Sequence, residues 1–265
     1  MPRLPIAQLG RELRFPPVEQ AHVSGLLAVG GDLSVRRLLL AYESGIFPWP
    51  EPEMPLLWWA PPLRAVIEPQ AVHVGRSLRK LVRRGAYEIR VDYDFPAVIA
   101  ACASVPRPGQ RGTWILPAMI DAYIALHAEG YAHSVEAYRD GTLCGGLYGI
   151  SLGGCFFGES MFSRADNASK VAFVALADQL AAWNFDLIDG QVQNDHTERF
   201  GLYTIPRAEF MIRLRKSLTR PTRRGPWLFS SDGAGANQPG PEAAGDRPDS
   251  ADDRQNQPDD PKPAR

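Results

Sequence analysis

The clearest periodicity lies in the second half of the chain. Between Leu116 and Gly130, residues Ile120, Tyr123, Ile124 and His127 recur at i, i+3, i+4 and i+7, which gathers side chains on one face of a helix. Pro117 suits the first turn of that helix and Gly130 its end. Beyond it the period falls to two. HSVEAYR, LCGGLYGIS and CFFGESMFS read as strands, and the intervening Asp140-Gly141 and Gly153-Gly154 suit tight hairpin turns, so an antiparallel meander is predicted. The apolar run in ADNASKVAFVALADQLAAWN predicts a helix capped by Asp166 or Asn167. It leads into the strand FDLIDGQV, and IPRAEFMIRLRKSL supplies a last helix with Pro206 near its start.

The first half is less regular. Gly30 and Gly31 mark a tight turn, Ser34 can cap a following helix that carries Leu38, Leu39 and Tyr42, and Gly45 can end it. A Pro-punctuated, Trp-rich stretch follows, in which Pro61 and Pro62 oppose helix and only RAVIE reads as strand. A basic helix is predicted at about 75–84, then the strand YEIRVDY, then a linker around SVPRPGQRG. Taken in order, these elements define an α+β protein: a small mixed N-terminal domain over 1–70 and a C-terminal domain over 71–230. Helix, three antiparallel strands, helix and strand is the order of an acetyltransferase-like (GNAT) unit with an antiparallel meander and flanking helices, an analogy of order alone. The last strand, inserted beside the meander, would leave a cleft where pairing splays.

Composition narrows the class. A chain of 265 residues with 45% hydrophobic residues can bury a substantial core. No uncharged apolar run is long enough to cross a bilayer and the start lacks the order of a signal peptide, so a cytoplasmic location and no membrane partner are expected. Cys102, Cys144 and Cys155 are odd in number and widely spaced, which argues against disulfides and a zinc site and for small buried hydrophobes. No metal spacing, Walker loop or dinucleotide fingerprint occurs, so neither a metal nor a cofactor is expected. Eight acidic against four basic residues give 231–265 a charge of −4; with −1 for the whole chain, the remainder carries +3. That tail has no aromatic residue to offset its ordering entropy and is expected to be disordered.

LIDGQVQNDH, residues 187–196, carries the first candidate chemistry. In a strand Asp189 and Gln191 share one face, so a polar pair would line a cleft. On the meander's third strand Glu159 would share a face with Phe157 and Met161, a costly setting for a carboxylate unless a cation or hydrogen bonds meet it; an internal salt bridge to Arg164 is the bland alternative. Two such carboxylates call for a cationic partner. Trp49 and Trp114 sit at Gly/Pro-rich corners, where indoles fill cores or form stacking platforms for bases. Arg76, Arg79, Lys80, Arg83 and Arg84 on one predicted helix form either a solvated face or a phosphate contact, and Arg213, Arg215, Lys216, Arg220, Arg223 and Arg224 form a second basic group. His133 and His196 belong to no nucleophile-bearing motif and are expected to be structural.

GGDLS, AYESGIFPW, WWAPPLRAVI, GTWI, YAHSVEAYRDGTLCGGLYG, GESMFSRADNASK and LIDGQVQNDH together resemble the bacterial leucyl/phenylalanyl-tRNA-protein transferases, in order from about Phe15 to Leu218. The resemblance implies transfer of Leu or Phe from Leu-tRNA or Phe-tRNA to proteins with N-terminal Arg or Lys, marking them for the N-degron pathway, with no DNA partner. It implies Asp189, Gln191 and Glu159 as catalytic residues and Trp49 and Trp114 as holders of the tRNA 3′ adenosine. It also implies Leu147 and Phe157 in the aminoacyl pocket, and the basic helix Arg76, Arg79, Lys80, Arg83 and Arg84 along the tRNA backbone. Where relatives often read DCQV, this chain has Gly190, expected to point away from the polar pair.

The reaction would be aminolysis of an ester. An α-amino group with a reference pKa of about 7.7 to 8.0 is partly neutral at pH 7, so positioning outweighs base strength. Asp189 would orient Gln191, Gln191 would hold the amine, Glu159 would meet the acceptor's cationic side chain, and Asp189 has direct proton acceptance as an additional option. Two rivals remain: an acetyl-CoA N-acetyltransferase, disfavoured because MFSRADNASK has no glycine to cradle a pyrophosphate, and a non-enzymatic RNA-binding module.

Overall fold

The computed structural model describes residues 6–51, 53–105 and 113–229, with the side chains of Asp195 and His196 also outside it. The predicted acidic tail, most of the predicted linker and the reading of His196 therefore fall outside the described residues. Two sheets form. The smaller has the order β1 (Ala7–Leu9), β2 (Leu26–Gly30), β4 (Leu57–Trp59), β3 (Phe47–Pro48), and α1 (Val35–Glu43) lies between β2 and β3 in sequence. Ser34 caps α1 as its sequence predicts, its Oγ accepting the Arg37 N–H.

The larger sheet takes in β5 (Leu63–Ile67), ahead of residue 70, then β6 (Glu88–Val91), β7 (Ala132–Arg139), β8 (Thr142–Leu152), β9 (Cys155–Ser163), β10 (Leu187–Gln191) and β11 (Tyr203–Pro206). Its order is β11-β5-β10-β9-β8-β7-β6. The meander β7-β8-β9 is antiparallel as expected, with Asp140 and Gly141 both at positive φ in the first hairpin turn. The class is α+β. One face of the sheet packs on α3 (Phe95–Ser104), α4 (Pro117–Ala128), α1 and the small sheet; the other packs on α5 (Ala168–Ala182). Because α5 is in turn covered by α2 (Arg76–Arg83), it is apolar nearly all round. A short α6 (Asp195–Glu198) and α7 (Arg207–Leu218) complete the order.

Three local features depart from expectation. The helix α3 has no counterpart in the sequence reading, although Asp94 caps it by accepting the Ala97 N–H at 3.0 Å and Pro96 stands in its first turn. Neither Asp166 nor Asn167 caps α5 with its side chain; Asn167 has φ of 62°, and Ser163 Oγ from β9 accepts the Ser169 N–H instead. Finally, β9 is bulged. Tyr148 pairs with Ser160 and Gly149 with Gly158, which leaves Glu159 as the extra residue. The bulge reverses the expected facing: Phe157 packs on the α1 side against Tyr42, whereas Met161 packs on the α5 side. At Gly149 an added Cβ would stand 2.2 Å from Phe157 O, so only glycine lets the strands close beside the bulge.

Candidate active site

Strands β9 and β10 run parallel through Leu187–Cys155, Ile188–Phe156 and Asp189–Phe157, and there the pairing stops. Beyond it the two strands part, and the gap opens into a chamber of about 730 Å³. Large apolar side chains, among them Leu147, Phe156, Phe173, Leu176 and Ile188, line its buried part; Glu159, Asp189 and Gln191 lie along its polar wall. Trp49 and Trp114 stand at its more exposed side with ring centroids 6.4 Å apart and planes at 60°. Residues 65 positions apart thus meet at one opening. Phe157 is not part of the lining, and its neighbour Phe156 is, which follows from the bulge.

Asp189 is wholly buried and its oxygens are occupied. Arg64 Nε donates to Oδ1 at 2.9 Å, Arg64 Nη2 donates to Oδ2 at 2.6 Å, and the Gln191 backbone N–H donates to Oδ1 at 2.8 Å. The guanidinium lies between the rings of Phe47 and Phe210, 4.7 and 4.5 Å from their centroids, and its Nη1 donates to Gly45 O. To act as a base Asp189 would have to give up part of this bonding, so its direct proton acceptance is not favoured. Its bond to Gln191 runs to the backbone N–H and not to the side-chain amide. Gln191 sits at φ of 60° where the pairing of β10 with β5 slips by a residue, and the bond to Asp189 offsets the cost of that left-handed conformation. On the opposite side of β10, a Cβ at Gly190 would meet Leu202 Cδ2 at 2.5 Å, away from Asp189 and Gln191.

Glu159 has a different setting. Tyr42 Oη donates to its Oε1 at 2.7 Å, Tyr123 Oη to its Oε2 at 2.9 Å, and Gln191 Nε2 to its Oε1 at 2.7 Å. No ion pair to it occurs among the described residues, and Arg164 lies over the Phe162 ring instead. Desolvation pushes the Glu159 carboxyl up to about 7, against the opposing pull of these hydrogen bonds. Burial and the neighbouring Glu159 charge also hold both tyrosines well above the usual phenol range, so they are neutral donors. Arg64, Tyr42 and Tyr123 were absent from the residues singled out by sequence. Tyr123 and Tyr42 were legible only as members of apolar helix stripes.

The two basic groups differ. All five side chains from Arg76 to Arg84 are exposed, and Arg79 alone among them has a described bond, to Val74 O. In the second group Arg213 pairs with Glu68 and Glu209, Arg220 with Asp186, Arg223 lies over the Trp183 ring and Arg224 over that of Tyr131. Four cations of this group are thus met by carboxylates or aromatic rings of the protein itself. His133 is buried, with its Nδ1 2.8 Å from Asp92 Oδ2 and its ring stacked on Trp227. No cluster of metal ligands occurs among the described residues, and no helix there is long and apolar enough to cross a membrane.

A chamber with an apolar inner wall and amide and carboxyl groups beside it suits an enzyme that moves an acyl group. The pattern of the family described as "Leucyl/phenylalanyl-tRNA protein transferase" matches residues 66–215, and that of its N-terminal domain matches 31–62. A leucyl/phenylalanyl-tRNA–protein transferase of Anaeromyxobacter sp. (strain Fw109-5) is 55% identical over 84% of this chain and 94% of its own. One of Myxococcus xanthus (strain DK1622) is 54% identical over the same shares. The chain belongs to the leucyl/phenylalanyl-tRNA–protein transferase family, a family of aminoacyltransferases.

Proposed function

We propose that this protein transfers Leu or Phe from Leu-tRNA or Phe-tRNA to the N-terminal Arg or Lys of acceptor proteins in the cytoplasm, forming a peptide bond and marking the acceptor for degradation. Family membership supports the reading, and one observation of the chain itself carries it: the Gln191–Glu159 hydrogen bond lies on the wall of a chamber whose remaining lining is largely apolar. The apolar part would take the Leu or Phe side chain, with Leu147 and Phe156 in contact with it, and would exclude charged side chains by their desolvation cost. Trp49 and Trp114 would stack on the terminal adenosine. The exposed cations of α2 would follow the phosphates of the tRNA. The large sheet, with helices on both faces and β9 and β10 parting at the chamber, is read as acetyltransferase-like (GNAT) in layout.

In this geometry Gln191 Nε2 is committed to Glu159, so the amide oxygen is the atom left to accept a hydrogen bond from the acceptor's α-amine. Asp189 and Arg64 hold the strand that carries Gln191. Amine and ester held together gain up to roughly 7 to 11 kcal/mol from proximity alone, and a strong base is unnecessary. The test is direct. Phe-tRNA and an Arg-initiated peptide are mixed with the protein; the peptide should gain one Phe as free tRNA appears. Intact Phe-tRNA and an unaltered peptide after prolonged incubation would refute the reading, and tight tRNA binding without product would favour an RNA-binding role.

A further inference from the structure

The Tyr42 and Tyr123 hydroxyls lie within hydrogen-bonding distance of each other as well as of the two Glu159 oxygens. The three groups come from α1, α4 and β9, so the cluster exists only in the folded chain. Their hydrogen bonds can be drawn in two ways with no heavy atom moving. When Glu159 is ionised, each hydroxyl donates to one carboxylate oxygen. When it is protonated, Oε2–H donates to Tyr123 Oη, Tyr123 donates to Tyr42, and Tyr42 donates to Oε1. Both states leave all the oxygens bonded, which is what a group that gains and loses a proton quickly requires.

The geometry points to Glu159 as the proton carrier of the aminolysis, with Tyr42 and Tyr123 as the positioning residues that hold it ready in both protonation states. The inference rests on the transferase reading and adds to it. As the amine nitrogen bonds to the ester carbonyl carbon, its proton passes to the Glu159 carboxylate. As the bond from that carbon to the ribose oxygen breaks, the same proton passes to the departing oxygen, so the amide and free tRNA form with no net proton change. The other groups facing this cluster do not displace Glu159 from the role. Gln191 on β10 is neutral, Asp189 is neutralised by Arg64 of β5, and Tyr148 on β8 meets Tyr123 edge to face at 5.6 Å. A carboxyl pushed up to about 7 is also ionised in an appreciable fraction at neutrality.

Two measurements on the full chain test this. In protein carrying ¹³C at the glutamate carboxyls, the Glu159 resonance is assigned by its loss in Glu159→Gln and titrated. Tyr42→Phe and Tyr123→Phe each remove a donor from the charged form and should raise its midpoint by about one unit. In single-turnover transfer from Phe-tRNA to one Arg-initiated peptide, both variants should lose about tenfold at pH 6.5 and recover toward wild type by pH 8.5. The acceptor amine's own titration is common to all samples and cancels in the ratio. An unmoved or lowered midpoint, or an equal loss of rate at every pH in folded variants, overturns the assignment. Absence of product from the wild-type protein at every pH refutes the transferase reading and the carrier role with it, while the titration still decides whether the tyrosines set Glu159.

Discussion

Asp189 and Glu159 lie on neighbouring strands beside one chamber, yet their environments are opposites. Asp189 meets a buried guanidinium, two aromatic faces and a backbone amide. Glu159 meets two phenols and an amide, all of them neutral. A charge given a fixed countercharge becomes part of the scaffold, whereas a charge given only neutral donors keeps access to both protonation states. The same contrast separates the basic groups. Arg213 and Arg220 are paired with carboxylates of the protein's own surface, and the cations of α2 are left to the solvent.

Substitutions can break the contrast. Arg64→Met leaves Asp189 buried without its countercharge and should cost about 3–5 kcal/mol of stability, read by denaturant unfolding. An unchanged unfolding midpoint would show that the pair is no scaffold. Glu159→Gln should instead lower single-turnover transfer by roughly 10²- to 10⁴-fold while leaving the fold intact, and full activity in this variant would remove Glu159 from the chemistry.

Smaller effects follow in the pH dependence. A Glu159 pKa raised from 4.5 to about 7 means that the folded state binds this proton more tightly than the unfolded chain. Its stabilising contribution is complete below about pH 4.5 and is lost as pH rises to about 7, so Glu159→Gln should flatten the fall in stability across that window. Glu136, pushed up to about 7 by burial beside Ser134, should behave alike in Glu136→Gln. The smallest effect concerns tRNA affinity: replacing Arg79 and Arg83 with Ala should reduce the slope of log affinity against log salt by about 2. Replacing Arg223 and Arg224, which rest on aromatic rings, should leave that slope nearly unchanged.

Where the sequence was legible, the signal was local. The meander, α4, α5 and the Ser34 cap follow from period, turn residues and capping chemistry within a few neighbours. Two further local signals are of the same kind. Asp94 followed by Pro96 and an apolar run announces α3, and LWW before the paired prolines forms β4. The placement of Phe157 was beyond such reasoning. One unpaired residue in β9 inverts the alternation, and the bulge is set by how Gly149 and Gly158 close against one another across two strands.

By itself the chain determined its α+β class, its family and the identity of the polar residues on β9 and β10, because short-range periodicity and contiguous motifs encode these. Only the tertiary structure decided what those residues are to each other. Arg64 stands 125 positions from Asp189, Tyr42 is 117 from Glu159 and Tyr123 is 36 from it. Whether a carboxyl is neutralised by a cation or held by neutral hydroxyls depends on which distant side chains packing brings within about 3 Å. Such a distance is a property of helices and strands docked together, and no local pattern carries it.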